Sequence, residues 1–246
     1  MTTLKNKVAI VTGSSKGIGA QIAILIAAAG AKTVINYAND DAAANDIVSQ
    51  IKAAGGEAFA VQADVSNTKQ VKAMFDATIS TFGRPDILVN SAGIMDNKPI
   101  AETTDEDFDR IFAVNVKGTF NTLREAATKL NDGGRIVNLS SSTTRMMLPT
   151  YGTYCATKGA IEQLTRIFAK EIGERKITVN AVSPGPTDTE LFNQGKADET
   201  IEKLAGMSAF NRIGEPVDIA RVVTFLVSEE AAWVTGQNIG ANGGVA

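Results

Sequence analysis

The architecture of this 246-residue chain is set by one segment near its start, Val8-Ala-Ile-Val-Thr-Gly-Ser-Ser-Lys-Gly-Ile-Gly19. Its first four residues form a short β-branched run that predicts a buried strand, and an apolar helical pattern continues from Ile18 to Ala29. The glycines between them permit a sharp turn and a close approach of the backbone to a bound group. The segment therefore predicts a strand, a tight turn and a helix in direct succession.

The same alternation of strands and helices continues to the end of the chain. Further strands are predicted at residues 33–37, 58–62, 87–90, 135–140, 178–182 and 237–241. Helices are predicted at residues 41–54, 68–82, 104–130 with an interruption allowed, 151–172 and 217–226. This regularity predicts an α/β fold: a single-domain Rossmann-type doubly wound parallel sheet of about seven strands with helices on both faces.

No linker or low-complexity tract divides the chain, so residues 1–246 are expected to form one domain. About 1–95 would mainly bind a cofactor and about 96–246 would carry the catalytic residues and a lid, without being separable. The segment from Pro184 to Asn211 is too long and too rich in Pro, Gly and Asn for an ordinary connection. It predicts a lid over a site.

The composition excludes several classes of function. The chain has 24 Lys and Arg against 27 Asp and Glu, and 44% of its residues are hydrophobic, which argues against a disordered chain or a basic nucleic-acid-binding protein. It has one Cys and no His, which removes an internal disulfide, a His-ligated metal site and the Ser-His and Cys-His hydrolases. Acid–base chemistry must then come from Tyr, Lys, Asp, Glu or Cys.

The start of the chain has no apolar block of the kind found in signal peptides. The longest run of small apolar residues, 22–31, is half of the roughly 20 residues that cross a bilayer. These features predict a soluble cytoplasmic protein. We expect a small-molecule substrate, with neither a nucleic acid nor a membrane as partner and with no metal.

The glycine-rich turn predicts a dinucleotide cofactor. It has the spacing Gly-x-x-x-Gly-x-Gly within residues 13–19 and stands between the first strand and the first helix. Ligands of open α/β sheets bind beyond the carboxyl ends of the strands, and a helix N-terminus favours phosphate. If its position between the first strand and the first helix is left aside, the alternative is that the turn only connects a strand to a helix.

The residues near the adenosine ribose favour NADP(H) over NAD(H). The end of the second strand, residues 35–39, lacks the acid that usually accepts a hydrogen bond from the 2′-hydroxyl of NAD. Lys16 could pair with a 2′-phosphate as a point charge, and Asn39 could add hydrogen bonds. A solvated Lys16 is the alternative, and the neighbouring Asp40 and Asp41 weigh against the preference.

Tyr154 and Lys158 are four residues apart and therefore lie on one face of a helix. An unperturbed Tyr titrates near pH 10, but a neighbouring ammonium favours the phenolate and can lower the pKa by about one to three units. Such a phenol would serve as general acid in carbonyl reduction and as general base in alcohol oxidation. Most Tyr-x-x-x-Lys pairs are structural, so the pair needs support from other motifs.

That support comes from several short motifs in a fixed order. They are Thr12-Gly13 to Gly19, Asn90-Ser-Ala-Gly93, Asn115, Ser140-Ser141, Tyr154 to Lys158 and Pro184-Gly-Pro-Thr187. With these motifs the chain resembles a short-chain dehydrogenase/reductase from Lys7 to Gly244, which is essentially its whole length.

The resemblance implies a role for each polar residue of the site. Tyr154 exchanges the proton, Lys158 lowers its pKa and holds the nicotinamide ribose, and Asn115 helps to keep a water in a proton relay. The family's carbonyl-polarising serine stands thirteen residues before the tyrosine, which selects Ser141. The adjacent Ser140 and Ser142 are expected to bond to the backbone instead, because neighbouring strand residues point to opposite faces.

The resemblance also implies cofactor contacts along the whole chain. Asp64 meets the exocyclic amine of adenine, and Pro184, Gly185 and Thr187 orient the nicotinamide carboxamide with help from Thr189. The full set of implied cofactor-binding residues is Gly13, Ser15, Lys16, Gly17, Ile18, Gly19, Tyr37, Asn39, Asp64, Val65, Asn90, Ala92, Gly93, Tyr154, Lys158, Pro184, Gly185, Thr187 and Thr189.

A largely apolar and partly adaptable set of side chains is expected to face the substrate. The set consists of Met95, Met146, Met147, Leu148, Tyr151, Leu191 and Phe192. Such a pocket fits a hydrophobic ketone or aldehyde better than a sugar. Several of these residues, the methionines above all, could equally do no more than pack the lid.

Three other functions stay open at this point. Many relatives reduce 3-oxoacyl chains on acyl carrier protein, an acidic partner that needs a basic patch. This chain has Asn131-Asp132 where such reductases often carry basic residues, although Arg175-Lys176 could supply part of a patch. Oxidation of sugars or polyols comes next, and a redox sensor that binds NADP(H) without turnover comes last, because the tyrosine, lysine and serine are all present.

The family is commonly homotetrameric, so the resemblance also implies a homotetramer. The apolar positions of the predicted helices at 151–172 and 217–226 are compatible with subunit contacts and equally with core packing.

Overall fold

The computed structural model describes residues 3–246, so the first two residues of the expected domain lie outside it. Seven parallel strands form one sheet: β1 Val8–Thr12, β2 Lys32–Tyr37, β3 Ala58–Gln62, β4 Ile87–Asn90, β5 Arg135–Leu139, β6 Thr178–Pro184 and β7 Asn238–Ala241. Their order across the sheet is β3-β2-β1-β4-β5-β6-β7. This confirms the predicted doubly wound parallel sheet.

In the described residues 3–246, ten α-helices connect or cover the strands. They are α1 Gly17–Ala28, α2 Asp41–Ala53, α3 Thr68–Phe82, α4 Asp105–Phe112, α5 Gly118–Lys129, α6 Thr143–Met146, α7 Gly152–Glu171, α8 Glu190–Asn193, α9 Asp198–Gly206 and α10 Pro216–Leu226. Short 3₁₀ helices occur at Ile100–Glu102, Gly173–Arg175 and Glu229–Ala231. Within residues 3–246, no helix combines the length and the apolar character needed to span a bilayer.

The two faces of the sheet carry separate apolar cores because successive side chains of a strand alternate between faces. In β1, Ala9 and Val11 pack with α1, α2 and α10, whereas Ile10 packs with α3, α5 and the C-terminal part of α7. Both layers are closely filled, with Ile22 and Phe75 fully buried on opposite faces. The sheet therefore has rigid support on both sides.

The order of the strands reverses between β1 and β4. From β1 the chain runs outward to β3, and from β4 it runs outward to β7 on the other side. Thr12 at the end of β1 pairs with Asn90 at the end of β4, so the two strands end side by side. In open α/β sheets a crevice for ligands forms at this reversal, beyond the carboxyl ends of the strands.

The interruption allowed in the predicted helix at 104–130 is a π-helical turn, Ala113–Lys117, between α4 and α5. One region differs from the sequence-based expectation. The segment from 184 to 211 is more regular than predicted, because it contains α8 and α9. The hydroxyl of Thr189 accepts a hydrogen bond from the Phe192 N–H at 3.1 Å and so caps the first of these helices.

Candidate active site

A cavity of about 640 Å³ lies beyond the carboxyl ends of β1, β4 and β5. Its walls are the glycine-rich turn, the loops after β3 and β4, the start of α7 and the segment with α8. The sequence-predicted residues that line it are Gly13, Ser15, Lys16, Gly17, Ile18, Gly19, Asn39, Asp64, Val65, Ala92, Gly93, Met95, Ser141, Met146, Leu148, Tyr151, Tyr154, Lys158, Pro184, Gly185, Thr187, Thr189, Leu191 and Phe192. Four predicted residues lie outside the lining: Tyr37, Asn90, Asn115 and Met147.

The glycines of the turn are required by close packing. Gly13 has φ +60°, and a Cβ there would lie 2.6 Å from the Ala92 Cα. A Cβ on Gly19 would lie 2.3 Å from the Gly13 carbonyl oxygen. The turn can therefore bring α1 up to the strand ends only if both residues lack side chains.

The N-terminus of α1 opens at this turn. Among residues 3–246, no side chain caps the helix, and its first turn contains no acid. The first N–H groups of a helix have no partner within the helix, and the helix dipole adds partial positive charge there. The start of α1 is therefore suited to a phosphate group, which agrees with a dinucleotide cofactor.

Asn36 fixes the turn and was missed by the sequence analysis. Its side-chain oxygen accepts a hydrogen bond from the Gly13 N–H at 3.1 Å, and its amide donates to the Ala63 carbonyl at 2.9 Å. An Asn within the β-branched run of β2 was the available signal. The adjacent Tyr37 points to the opposite face, where its hydroxyl donates to Asp41, so the contact predicted for Tyr37 does not fit the cavity.

The end of β4 holds the loop that forms the cavity floor. The Thr12 hydroxyl accepts hydrogen bonds from the N–H groups of Ser91 at 3.0 Å and Ala92 at 3.1 Å. Asn90 lies beneath this loop, where its amide donates to Asn138 at 2.8 Å and its oxygen accepts from the Thr122 hydroxyl at 2.7 Å. Asn90 thus supports the floor from the protein interior and does not line it.

Tyr154, Lys158 and Ser141 meet on one wall of the cavity. The first two come from one face of α7, and the Lys158 Nζ lies 5.5 Å from the centre of the Tyr154 ring. Ser141 follows β5 and lines the cavity together with Tyr154. Its hydroxyl oxygen also accepts hydrogen bonds from the Thr143 N–H at 3.2 Å and the Thr143 hydroxyl at 2.9 Å.

Burial controls the protonation of this group. It raises the pKa of the Tyr154 phenol to about 12, although the polar side chain of Ser141 acts in the opposite direction. It lowers the pKa of the Lys158 ammonium to about 8. The expected lowering of the Tyr154 pKa by Lys158 is therefore wrong in this structure. Loss of solvation of the phenolate dominates, and the ammonium donates to the Leu139 carbonyl at 2.8 Å.

Asn115 lies in the π-helical turn and is fully buried. Its amide nitrogen donates to the Ile94 carbonyl at 2.9 Å and to the Thr157 hydroxyl at 3.1 Å, and its oxygen accepts from the Ile94 N–H at 2.9 Å. A Cβ on Gly93 would lie 3.3 Å from that oxygen and 3.7 Å from the Lys158 Nζ. Asn115 therefore connects the loop after β4 to α7 next to the lysine.

The serines beside Ser141 have different partners. The Ser142 hydroxyl donates to the Ser183 carbonyl at 3.1 Å, as expected. The Ser140 hydroxyl lies 3.4 Å from the Lys158 carbonyl but is closer to the carboxylate of Glu162, at 2.9 Å, which also accepts from the Thr144 hydroxyl at 2.9 Å. The sequence analysis missed Glu162, although it follows Lys158 by four residues on the same helix face.

The outer end of the cavity contains the charged groups nearest the turn. The Lys16 ammonium forms an ion pair with Glu190 at 2.8 Å, and both side chains are mostly exposed. Asp40 caps α2, where its oxygen accepts from the Ala43 N–H at 3.0 Å. Asp40 and Asp41, the acids after β2, thus have hydrogen-bond partners close to them in the sequence. The acid that pairs with Lys16, Glu190, was not predicted from the sequence.

The remaining wall is mostly apolar and carries a polar group at Tyr151. Met95, Met146, Leu148, Leu191 and Phe192 line it. Burial raises the pKa of the Tyr151 phenol. Met147 ends α6 in a left-handed conformation and is 86% exposed, so its predicted contact with substrate does not fit this structure.

Comparisons with known proteins identify the family of this chain. A family model described as Enoyl-(Acyl carrier protein) reductase matches residues 13–246. A protein of Arabidopsis thaliana named NADPH-dependent aldehyde reductase-like protein, chloroplastic, is 48% identical over 255 residues, which cover 98% of this chain and 94% of that protein. A protein of Picea abies named short-chain type dehydrogenase/reductase is 43% identical over 251 residues, which cover 98% of this chain and 93% of that protein.

The solved structure of an angucycline C-6 ketoreductase with bound NADP superposes on this chain with a TM-score of 0.94. The sequence identity is 41%, and the match covers 99% of this chain and 97% of that one. The matched length and the shared fold leave one assignment: the chain belongs to the short-chain dehydrogenase/reductase family of oxidoreductases.

Proposed function

We propose that this chain reduces the carbonyl group of a ketone or aldehyde to an alcohol with NADPH, and catalyses the reverse reaction. One observation carries the proposal. Tyr154, Ser141 and Lys158 line a single cavity that the open N-terminus of α1 also lines. A proton donor, a second hydroxyl donor and a phosphate-binding helix end are the parts that a nicotinamide-dependent carbonyl reductase needs.

The residues present fit a dinucleotide cofactor. The glycine-rich turn and the start of α1 would hold its phosphates, and Asp64 and Val65, which line the cavity, would contact adenine. Lys158 would hold the nicotinamide ribose, and Thr187 with Thr189 would hold the carboxamide. When bound, NADPH supplies the hydride for the carbonyl carbon.

Preference for NADP(H) over NAD(H) rests on the residues around Lys16. Lys16 and Asn39 line the cavity, whereas the nearby Asp40 is engaged as a helix cap. A lysine placed here favours a 2′-phosphate over a 2′-hydroxyl. The Arabidopsis relative carries NADPH in its name, and the angucycline ketoreductase was solved with NADP, which supports the same choice.

The protein's own groups would act on the substrate oxygen. Ser141 would donate a hydrogen bond to the carbonyl oxygen, and Thr143 holds the Ser141 hydroxyl in place. Tyr154 would transfer its phenolic proton to that oxygen as negative charge develops. The Lys158 ammonium would then stabilise the phenolate that remains. Asn115 would keep the loop after β4 and α7 in register, in keeping with its predicted part in a proton relay.

Reduction of 3-oxoacyl chains on acyl carrier protein is the second candidate. The family model carries an acyl-carrier-protein reductase in its description, which favours it. However, Arg175, one of the two basic residues available for docking, forms an ion pair with Asp132 at 2.7 Å and donates to carbonyl groups. Its charge is therefore partly neutralised. Sugar oxidation fits the apolar wall less well. A redox sensor without turnover does not account for the presence of Tyr154, Ser141 and Lys158 together.

A carbonyl panel tests the proposal. Purified protein with NADPH is offered aryl ketones, small aldehydes and an acetoacetyl thioester, and NADPH consumption is followed; polyols with NADP⁺ test the reverse reaction on sugars. We expect turnover of aryl ketones or aldehydes and a higher kcat/KM with NADPH than with NADH. Turnover of the thioester alone would favour the second candidate. If the protein turns over no carbonyl compound, the proposal is wrong.

Single-domain folding, a cytoplasmic location and a homotetramer remain proposals that accompany this function. Ile161, Val223 and Leu226, which the sequence left open between subunit contact and core, are buried within the chain. Exposed apolar side chains on α5 and α7, Phe120 and Ile167, are more suitable for subunit contacts. Light scattering of the purified protein tests the tetramer, and a monomer would contradict it.

A further inference from the structure

The ion pair between Lys16 and Glu190 joins opposite sides of the cavity entrance. Lys16 is the last residue before α1, and Glu190 is the first residue of α8. Their charged atoms lie 2.8 Å apart. The neighbouring residues also meet, because a Cβ on Gly17 would lie 3.4 Å from the Thr189 Cγ2. The start of the 184–211 segment therefore rests directly on the glycine-rich turn.

Glu190 differs from the other two acids that line the cavity. Asp40 accepts from the Ala43 N–H at 3.0 Å, and Asp64 accepts from the N–H and the hydroxyl of Ser66 at 2.8 and 2.7 Å. Both are therefore held by groups within their own turns. Glu190 instead pairs with the cation that NADP(H) would need, and its side chain is 76% exposed.

We propose that Glu190 is a specificity-determining residue, which competes with the 2′-phosphate of NADP(H) for Lys16 and so limits the preference for NADP(H) over NAD(H). This inference rests on the proposed function. An exposed ion pair between flexible side chains is weak, so a phosphate dianion can displace the carboxylate from Lys16. Glu190 then remains close to the phosphate and repels it. NAD(H) lacks the 2′-phosphate and leaves the ion pair intact.

The same exchange changes the attachment of α8. In the cofactor-free chain the ion pair ties α8 to the turn, and NADP(H) would remove this tie. The Glu190→Gln variant should therefore show faster hydrogen exchange at the amides of residues 192–194 in the absence of cofactor. This readout depends on the ion pair alone and not on catalysis.

Cofactor titrations test the competition. Dissociation constants for NADPH and NADH are measured by cofactor fluorescence for the wild type, Glu190→Gln and the control Glu199→Gln. Glu199 is an exposed acid of α9 that pairs with Lys203 and does not line the cavity. We expect Glu190→Gln to tighten NADPH binding about 2- to 5-fold, with little change for NADH and none in the control.

Two further experiments test whether the effect of Glu190→Gln on NADPH binding acts through Lys16. In a Lys16→Gln background, Glu190→Gln should lose most of its effect on NADPH, because the two residues act as a pair. High salt should reduce the difference between wild type and Glu190→Gln. An unchanged or lowered NADPH-to-NADH affinity ratio in Glu190→Gln, with NADPH still bound, overturns this inference alone. Failure of the wild type to bind either cofactor overturns the proposed function as well.

Discussion

The two walls of the cavity are built in different ways. The inner wall, formed by the strand ends and α7, consists of buried groups such as Ser140, Ser141 and Lys158, each held by at least one hydrogen bond. The outer wall, formed by the segment with α8, has an exposed ion pair at Lys16 and a Leu191 side chain that is 40% exposed. The contrast teaches that the proposed proton transfer would take place where the geometry is fixed, and the proposed cofactor selectivity where side chains can adapt.

Replacing Tyr154, the proposed proton donor, should produce the largest loss of activity. Tyr154→Phe removes the hydroxyl while keeping the ring that packs in the inner wall. We expect kcat to fall about 10³-fold, because general acid catalysis contributes on the order of 10² to 10⁴. NADPH binding, measured by fluorescence titration, should change little. A kcat within a few fold of the wild type would show that another group donates the proton.

Ser141→Ala should produce the next largest loss. It removes the second hydroxyl that would contact the carbonyl oxygen, and we expect a decrease in kcat of about 10²-fold. The control is Ser142→Ala, whose hydroxyl donates to the Ser183 carbonyl and does not line the cavity. Steady-state kinetics of both variants gives the comparison. Equal losses in the two variants would mean that Ser141 serves only the local fold.

Glu162 accepts hydrogen bonds from the hydroxyl groups of Ser140 and Thr144, so we expect it to act as a positioning residue. Glu162→Ala should lower kcat about 3- to 10-fold with a small change in KM, since misplacing a catalytic group slows chemistry more than it weakens binding. Glu162→Gln keeps an oxygen that can accept both hydrogen bonds and should restore most of the rate. The adjacent exposed residue supplies the control, Gln163→Ala. A change in KM alone would contradict the positioning role.

Substitutions in the outer wall should have the smallest effect. Phe192→Ala removes apolar area from the cavity, so we expect KM for a hydrophobic ketone to rise about 3- to 10-fold with kcat nearly constant. Met147→Ala is the matched control, because this side chain is 86% exposed outside the cavity. An equal effect of the two variants on KM would show that Met147 contacts the substrate after all.

The parts predicted from the sequence are those that depend on local pattern. Strand and helix positions followed from apolar periodicity, and the glycine-rich turn followed from the steric requirement at Gly13 and Gly19. The segment at 184–211 was predicted less well, because its helices depend on a cap at Thr189 and on packing over the cavity.

Contacts between distant segments could not be predicted in the same way. The pairing of Lys16 with Glu190 joins residues 174 positions apart, and no local pattern signals it. The pKa of Tyr154 was expected to fall because the sequence shows the nearby Lys158 but not how deeply both groups are buried. Sequence motifs identify the titratable side chains, and the protein that surrounds them determines their charge.

The most direct test of the Tyr154–Lys158 pair is the pH dependence of kcat/KM for the carbonyl substrate, because this ratio reports groups that titrate before the substrate binds. Tyr154, with its pKa raised to about 12, stays protonated and able to donate across the neutral range. Lys158, with its pKa lowered to about 8, is charged below that pH and loses its proton above it. We predict that kcat/KM is constant from pH 6 to about 7.5 and decreases as the pH rises through about 8. A kcat/KM that stays constant up to pH 10, or that decreases as the pH falls from 8 to 6, would contradict the account.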